Sequence, residues 1–268
     1  MFDIDLTKYR LVDLSYEVTP NQPGDRPLMM QRGFLADRAF KYDITKTHSH
    51  VGTHVESPAH FYEGGKDLTG FPLTSFMGRA VLAEVHDASS VLAILPEHLE
   101  ADVGAILREG DILILRNNDQ SSLAGGVAAL PHLTPEAARW MAARKIKLLG
   151  VDNYVRLACD IESGRELHDT LMSQDICFVE WLDNLDQLRR KEFFFLALPW
   201  KVRTMDSSWA RGLPSRSCRE PLTRPGRERA GHPFSFENVA RRASGGTPSA
   251  WRLGLRSYAT WCPTNGRA

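Results

Sequence analysis

The chain has 268 residues, 43% of them hydrophobic and 25% charged, with 33 Lys and Arg against 33 Asp and Glu. That composition supports a substantial buried core, and no apolar run approaches the ~18 residues of a membrane span, so no membrane partner is expected. The neutrality conceals two opposite parts: residues 212–268 hold ten Arg and three Glu with neither Lys nor Asp, a net +7, which leaves −7 for residues 1–211.

In chain order, the opening MFDIDLTKYRLVDLSYEV lacks both a basic leader and a long apolar centre, so a cytoplasmic protein without a signal peptide is expected. RLVDLSYEV, FKYDITKT, RAVLAEV and DILILR carry the alternating or continuous apolar runs of strands, and KLLGVD, DICFVEW and FFFLALP supply three more short buried ones. LPEHLEADVGAIL, TPEAARWMAARK and RELHDTLM read as helices, the second opening with Thr134 as N-cap before Pro135 and Glu136. A mixed α/β architecture follows, with one domain over residues 1–211. EGGKDLTG around Gly64 and Gly65 is a turn, neither a P-loop nor a dinucleotide fingerprint, so no organic cofactor is implied. Of the four cysteines, Cys159, Cys177, Cys218 and Cys262, none forms a CxxC pair; Cys159 and Cys177 are expected as core thiols.

The most informative segment is HSHVGTHVESPAHF, where thirteen positions from His48 to His60 hold four of the nine histidines, a glutamate, a glycine and a proline. His and Glu bind catalytic divalent metals through nitrogen and oxygen. His50, His54, Glu56 and His60 share one parity, so in an extended segment they face one side while Val51, Thr53 and Val55 face the other. A straight strand would hold His50 and His54 roughly 13 Å apart, so the chain must bend near Gly52, which has the freedom to do so. Pro58 forbids an ordinary helix through the end of the motif, and a bent loop or strand is expected rather than a helix. His48 is read as a surface or hydrogen-bonded residue. Burying His50, His54 and Glu56 together without a common partner would cost several kcal/mol, so these three are taken as ligands of a metal.

The segment resembles the cyclase family of metal-dependent hydrolases, whose members include bacterial kynurenine formamidase (arylformamidase) and isatin hydrolase. Its defining run H-x-G-T-H-x-D-x-P-x-H-F is matched by His50, Gly52, Thr53, His54, Pro58, His60 and Phe61. Glu56 stands where that run has aspartate, and its extra methylene moves the carboxylate by roughly 1 to 1.5 Å. Asp13, Leu14 and Ser15, then Pro23, Gly24 and Asp25, resemble the family's opening D-L-S and P-G-D. GVDNYVRL resembles its G-x-D block, and ELHDTLMSQDICFVE its H-x-x-L-L segment and a strand ending in glutamate. Pro199, Lys201, Asp206 and Arg211 resemble its closing P-x-K and D-G-S/A-x-x-R. Taken alone, His168 reads as a helix-surface residue and Glu180 as a charge closing an apolar run.

The resemblance implies a swivelling β/β/α fold and places His168 and Glu180 in the metal site with His50, His54 and Glu56. It implies one or two divalent ions, Zn²⁺ or Mn²⁺, with Glu56 bridging if two bind. His60 is implied as general base and proton shuttle, a role whose alternative is a further ligand to the same metal. The implied activity is hydrolysis of an amide C–N bond, since a bound Zn²⁺ can lower the pKa of its water from 15.7 to about 7. N-formylkynurenine is the best-known candidate for the small-molecule substrate; ring opening of a cyclic amide or lactone is the alternative, and a metal-binding scaffold without activity the reading from another class. Substrate contacts are not identified by the sequence. A homodimer or higher oligomer is implied as well. Residues 212–268, rich in Arg, Gly, Pro and Ser, are expected as a disordered or frame-shifted tail whose arginines offer the one feature suited to nucleic acid.

Overall fold

The computed structural model describes residues 9–24, 26–35, 38–85, 93–118 and 130–217. Asp25 of the P-G-D block, Cys218, Cys262 and the tail from residue 218 onward lie outside the described residues. The strands in chain order are β1 (Tyr9–Leu11), β2 (Met29–Phe34), β3 (Phe40–Lys46), β4 (His54–Glu56), β5 (Met77–Val85), β6 (Ala93–Ile94), β7 (Ile112–Asn117), β8 (His132–Leu133), β9 (Leu148–Asp152), β10 (Cys177–Leu182), β11 (Glu192–Ala197), β12 (Ser207–Trp209) and β13 (Gly212–Ser217). The helices are α1 (Pro96–Val103), α2 (Pro135–Ala143) and α3 (Ile161–Met172).

Nine strands form one mixed sheet in the order β1-β13-β11-β5-β7-β9-β10-β4-β12, parallel from β5 through β10 and antiparallel toward both edges. The parallel strands are apolar on both faces because both are covered. Val81, Leu113, Leu115, Leu149, Val151 and Phe178 pack with α1, α2 and α3, while Leu82, Ile112, Ile114, Leu148 and Val179 pack with Leu14, Phe76 and Phe195 on the other side. A mixed α/β fold is therefore present. No helix among the described residues is long and apolar enough to cross a membrane.

Local chemistry explains the helix ends. Thr134 Oγ1 accepts the Ala137 N–H at 3.2 Å, as its position before Pro135 predicts. Helix α3 begins at Ile161, four residues earlier than the run RELHDTLM suggests, because Asp160 caps it by accepting the Ser163 N–H at 2.8 Å. Cys177 is buried, and burial pushes its thiol up, as expected of a core cysteine; Cys159 is instead exposed beside that cap, its thiol donating to Asp160 Oδ2 at 3.1 Å.

The main sheet continues past the boundary read before Gly212. Gly212–Ser217 is β13, paired with β11 through Ala197↔Gly212, Leu196↔Leu213, Phe195↔Pro214 and Phe194↔Ser215. Its composition hid it, because an edge-side strand holding Gly, Pro and Ser shows no apolar alternation. The opening and closing blocks also meet here. Arg211 pairs with Asp13, Ser15 Oγ accepts the Gly212 N–H at 3.1 Å, and the Leu14 N–H donates to the Gly212 carbonyl at 2.9 Å. A chain ended at Arg211 is thus expected to melt several degrees below one ended at Ser217, measured by calorimetry; equal melting temperatures would make β13 dispensable.

Asp152 ends β9 nearly buried, with Oδ2 accepting the Asn117 N–H at 2.8 Å and Oδ1 the Tyr154 N–H at 2.9 Å. Burial pushes this carboxyl up to about 7 despite those two bonds. Below the unfolded value near 4 both states hold the proton. Between there and about 7 only the native state does, so stability falls as pH rises, by up to about 1.4 kcal/mol per pH unit. Asp152→Asn removes that slope, and its melting temperature relative to the parent is expected to rise between pH 5 and pH 8. Parallel curves would show that Asp152 titrates normally.

Candidate metal centre

The predicted bend is present. Gly52 has φ +64°, a conformation that L side chains rarely adopt, and a Cβ there would meet Val18 Cγ2 at 2.4 Å. The turn hands the chain to β4 as an extended strand, and Pro58 opens a short 3₁₀ turn that ends at His60. Val55 points into the core below the sheet, while His54 and Glu56 share the face of their antiparallel partners Glu180 and Phe178 on β10. Phe178 belongs to the helix-side core, so these side chains look toward α3.

On α3, His168 follows the buried Leu167 and precedes the buried Leu171 and Met172, which places it on the inward stripe. Its side chain is 12% exposed, stacked on Phe61 at 4.3 Å, and is not the helix-surface residue that the local sequence suggests. The six side chains named by the sequence thus converge at one end of the sheet. Ligand atoms of His50, Glu56 and His60, and of His54, Glu56 and Glu180, lie within 4.8 Å of one another in two groups that share Glu56.

The hydrogen bonds fix the tautomers. His54 Nδ1 donates to the Gly52 carbonyl at 2.7 Å and His168 Nδ1 to the Gly164 carbonyl at 2.6 Å, so each neutral ring presents an Nε2 lone pair. Those lone pairs face the Glu56 carboxylate, His54 Nε2 at 3.2 Å from Oε1 and His168 Nε2 at 4.0 Å from Oε2, and His54 Nε2 is 4.0 Å from Glu180 Oε2. A cation placed among them would draw on the carboxylates and on both Nε2 atoms. Glu56 Oε2 is moreover buried without a hydrogen-bond partner among the described residues. An orphaned carboxylate oxygen, two imidazoles held by backbone carbonyls and a second carboxylate fit a divalent metal ion.

Asp206 joins the site without having been singled out by the sequence as a site residue; its place in the closing block was the available signal. Its Oδ2 lies 2.8 Å from His50 Nε2 and 3.0 Å from His60 Nδ1, while the other His50 nitrogen is 2.5 Å from Glu56 Oε1. Burial opposes charge on His50, but the Glu56 charge and the bonds to Asp206 and Glu56 outweigh it and raise the imidazole to about 10. Burial likewise opposes charge on His60, and the Asp206 bond and Glu56 charge raise it. On His168 burial prevails and lowers the imidazole, keeping it neutral. His48 is not in either group; its Nδ1 accepts the His50 N–H at 3.1 Å.

Aromatic side chains flank the cluster. Trp209 pairs with His54 across β12 and meets the exposed Trp200 edge to face at 5.5 Å. Trp181, left-handed at φ +59° just after Glu180, meets Tyr16 at 5.3 Å.

A family model described as putative cyclase matches residues 12–155. Among solved structures, a potential metal-dependent hydrolase with cyclase activity is 22% identical with a TM-score of 0.58, covering 80% of this chain and 100% of its own. Isatin hydrolase A from Labrenzia aggregata, bound to benzyl benzoate, is 20% identical with a TM-score of 0.64, covering 79% and 95%. Isatin hydrolase A from Ralstonia solanacearum is 23% identical with a TM-score of 0.61, covering 78% and 92%. At these identities the structural likeness is one of fold, and the family match, which takes in more than half of the sequence, settles membership: the chain belongs to the cyclase family.

Proposed function

We propose that the chain is a metal-dependent hydrolase that cleaves an amide C–N bond of a small aryl substrate, with an aryl formamide such as N-formylkynurenine as the first candidate. The observation that carries this reading is the buried Glu56 carboxylate, whose orphaned Oε2 lies 4.0 Å from His168 Nε2 while its Oε1 lies 3.2 Å from His54 Nε2. His50, His54, Glu56, His168 and Glu180 would hold the metal, one ion or two. When bound, the metal supplies Lewis acidity toward the carbonyl and a water acidified to near neutrality.

The protein's own groups do the rest. His60, whose Nδ1 is held by Asp206, keeps Nε2 for exchange, so it can take a proton from the attacking water and return it to the leaving amine. Asp206 orients that ring and steadies the imidazolium while the proton resides there. The indole faces of Trp200 and Trp209 beside β4 suit an aryl group. Ring opening of a cyclic amide needs the same groups, and it is favoured as a second reading by the isatin hydrolases among the fold neighbours.

The test is a panel of aryl formamides against cyclic amides and imides on metal-loaded protein. Turnover of either class supports the hydrolase and chooses between the two. Stoichiometric metal with no turnover of any would favour a binding scaffold, and protein purified without chelators that carries no divalent metal would defeat the reading altogether.

A further inference from the structure

Arg26 bridges the two segments that carry most of the candidate ligands. Its Nη1 donates to the His50 carbonyl at 3.0 Å, and its guanidinium carbon lies 5.9 Å from the centroid of the ring of Trp181, the residue after Glu180. Tyr16 meets that indole edge to face at 5.3 Å, and its N–H donates to Thr53 Oγ1 at 2.8 Å, a hydroxyl that in turn donates to the Trp181 carbonyl at 2.6 Å. A tryptophan at φ +59° is uncommon, and it persists only where its surroundings hold it so. Here they present its indole to a guanidinium. That guanidinium is half-buried and under-used. Of its five N–H groups one has the His50 carbonyl, and among the described residues no carboxylate pairs with it. Arg79, Arg116, Arg144 and Arg211 each have such a partner.

We infer that Arg26 determines specificity for a carboxylate on the substrate: the aryl amide carries an anionic tail, which the guanidinium holds beside the Trp181 indole while the scissile bond lies at the metal centre. The inference rests on the hydrolase reading and narrows its substrate class. A planar fork matches a carboxylate with two parallel N–H···O bonds, and a guanidinium fixed by a carbonyl and an aromatic ring is already oriented for them. Charge agrees. Glu56, Glu180 and Asp206 surround the site, and residues 1–211 carry net −7, so an anion is repelled unless a local cation receives it. The tail is remote from the breaking bond, so its contact is alike in ground and transition states and shows in KM rather than kcat.

The test compares kcat/KM for ortho- and meta-formamidobenzoate with that for formanilide, on metal-loaded parent, Arg26→Gln and Arg26→Lys. Intrinsic reactivities cancel between variants. Arg26→Gln keeps an N–H donor and loses the charge; it is expected to lower the charged-to-neutral ratio by roughly 10- to 100-fold, the worth of hydrogen bonds to a charged group, and to do so through KM. Arg26→Lys keeps the charge without the fork and should fall between. An unchanged ratio in Arg26→Gln would overturn the assignment. So would equal losses on both substrates in both variants with loss of metal, which would make Arg26 a brace for His50. Binding is read apart from reaction: by titration calorimetry the parent should bind ortho-aminobenzoate more tightly than aniline, and Arg26→Gln should lose that difference. This result with no turnover of any amide would sink hydrolysis and keep Arg26. Turnover with a ratio indifferent to Arg26, or ortho-aminobenzoate bound equally by Arg26→Gln, would keep the centre and sink Arg26.

Discussion

Glu56→Gln is expected to cost more than about 100-fold in divalent-metal affinity and to remove activity with it. The carboxamide keeps the shape of the side chain and an oxygen that accepts from His50, now 2.5 Å from Oε1. It loses the charge, and its NH₂, at the position of the orphaned Oε2, can turn toward His168 Nε2 4.0 Å away. Amide donors therefore satisfy the pocket in place of a cation, and the fold should stand. Substituting residues that merely orient ligands costs 10- to 100-fold in metal affinity, so replacing the group common to both clusters should cost more. Titration calorimetry with Zn²⁺ and Mn²⁺ reads the effect directly. Chelator should lower the melting temperature of the parent, because a ligand bound only by the native state stabilises it, and should leave Glu56→Gln unchanged. Glu56→Asp, which restores the shorter carboxylate of the family's run, should keep metal and alter the number bound. Parent-like metal affinity in Glu56→Gln would make Glu56 a buried structural carboxylate and dissolve the proposed centre.

The residues of the motif were legible because their chemistry is local. A bend at Gly52, an extended β4 and a stop at Pro58 follow from backbone rules that need no partner, and parity alone separated Val55 from His54 and Glu56. His168 and Glu180 were different. Nothing in RELHDTL distinguishes an inward histidine from a solvated one, because the inward stripe of α3 becomes visible only once Asp160 is known to start the helix and β10 to lie beneath it. Asp206 depends on β12 joining β4 at the sheet edge, a pairing across about 150 residues that no periodicity announces. β13 falls on the same side of that divide, a Gly-Pro-Ser segment made a strand by β11.

His60→Ala is expected to retain metal and to lose about 10²- to 10⁴-fold in kcat, the usual worth of a positioned acid or base. The ring lies 4.5 Å from that of His50, and both bond the same Asp206 oxygen, so ligation and proton transfer are the two roles open to it. They separate on metal content: His54→Ala should lose metal and activity together, His60→Ala activity alone. The acidic limb of the rate profile supplies a second reading. A base works when neutral, so the limb should report the His60 imidazole, which the Asp206 bond raises against the effect of burial, and it should change in His60→Ala. Asp206→Asn removes one raising partner and the acceptor that fixes the tautomer, so it should move the limb to lower pH and reduce kcat by roughly 10- to 100-fold. Equal metal loss in His60→Ala and His54→Ala would place His60 among the ligands, as its grouping with His50 and Glu56 within 4.8 Å allows, and the proton would then have to leave by another group.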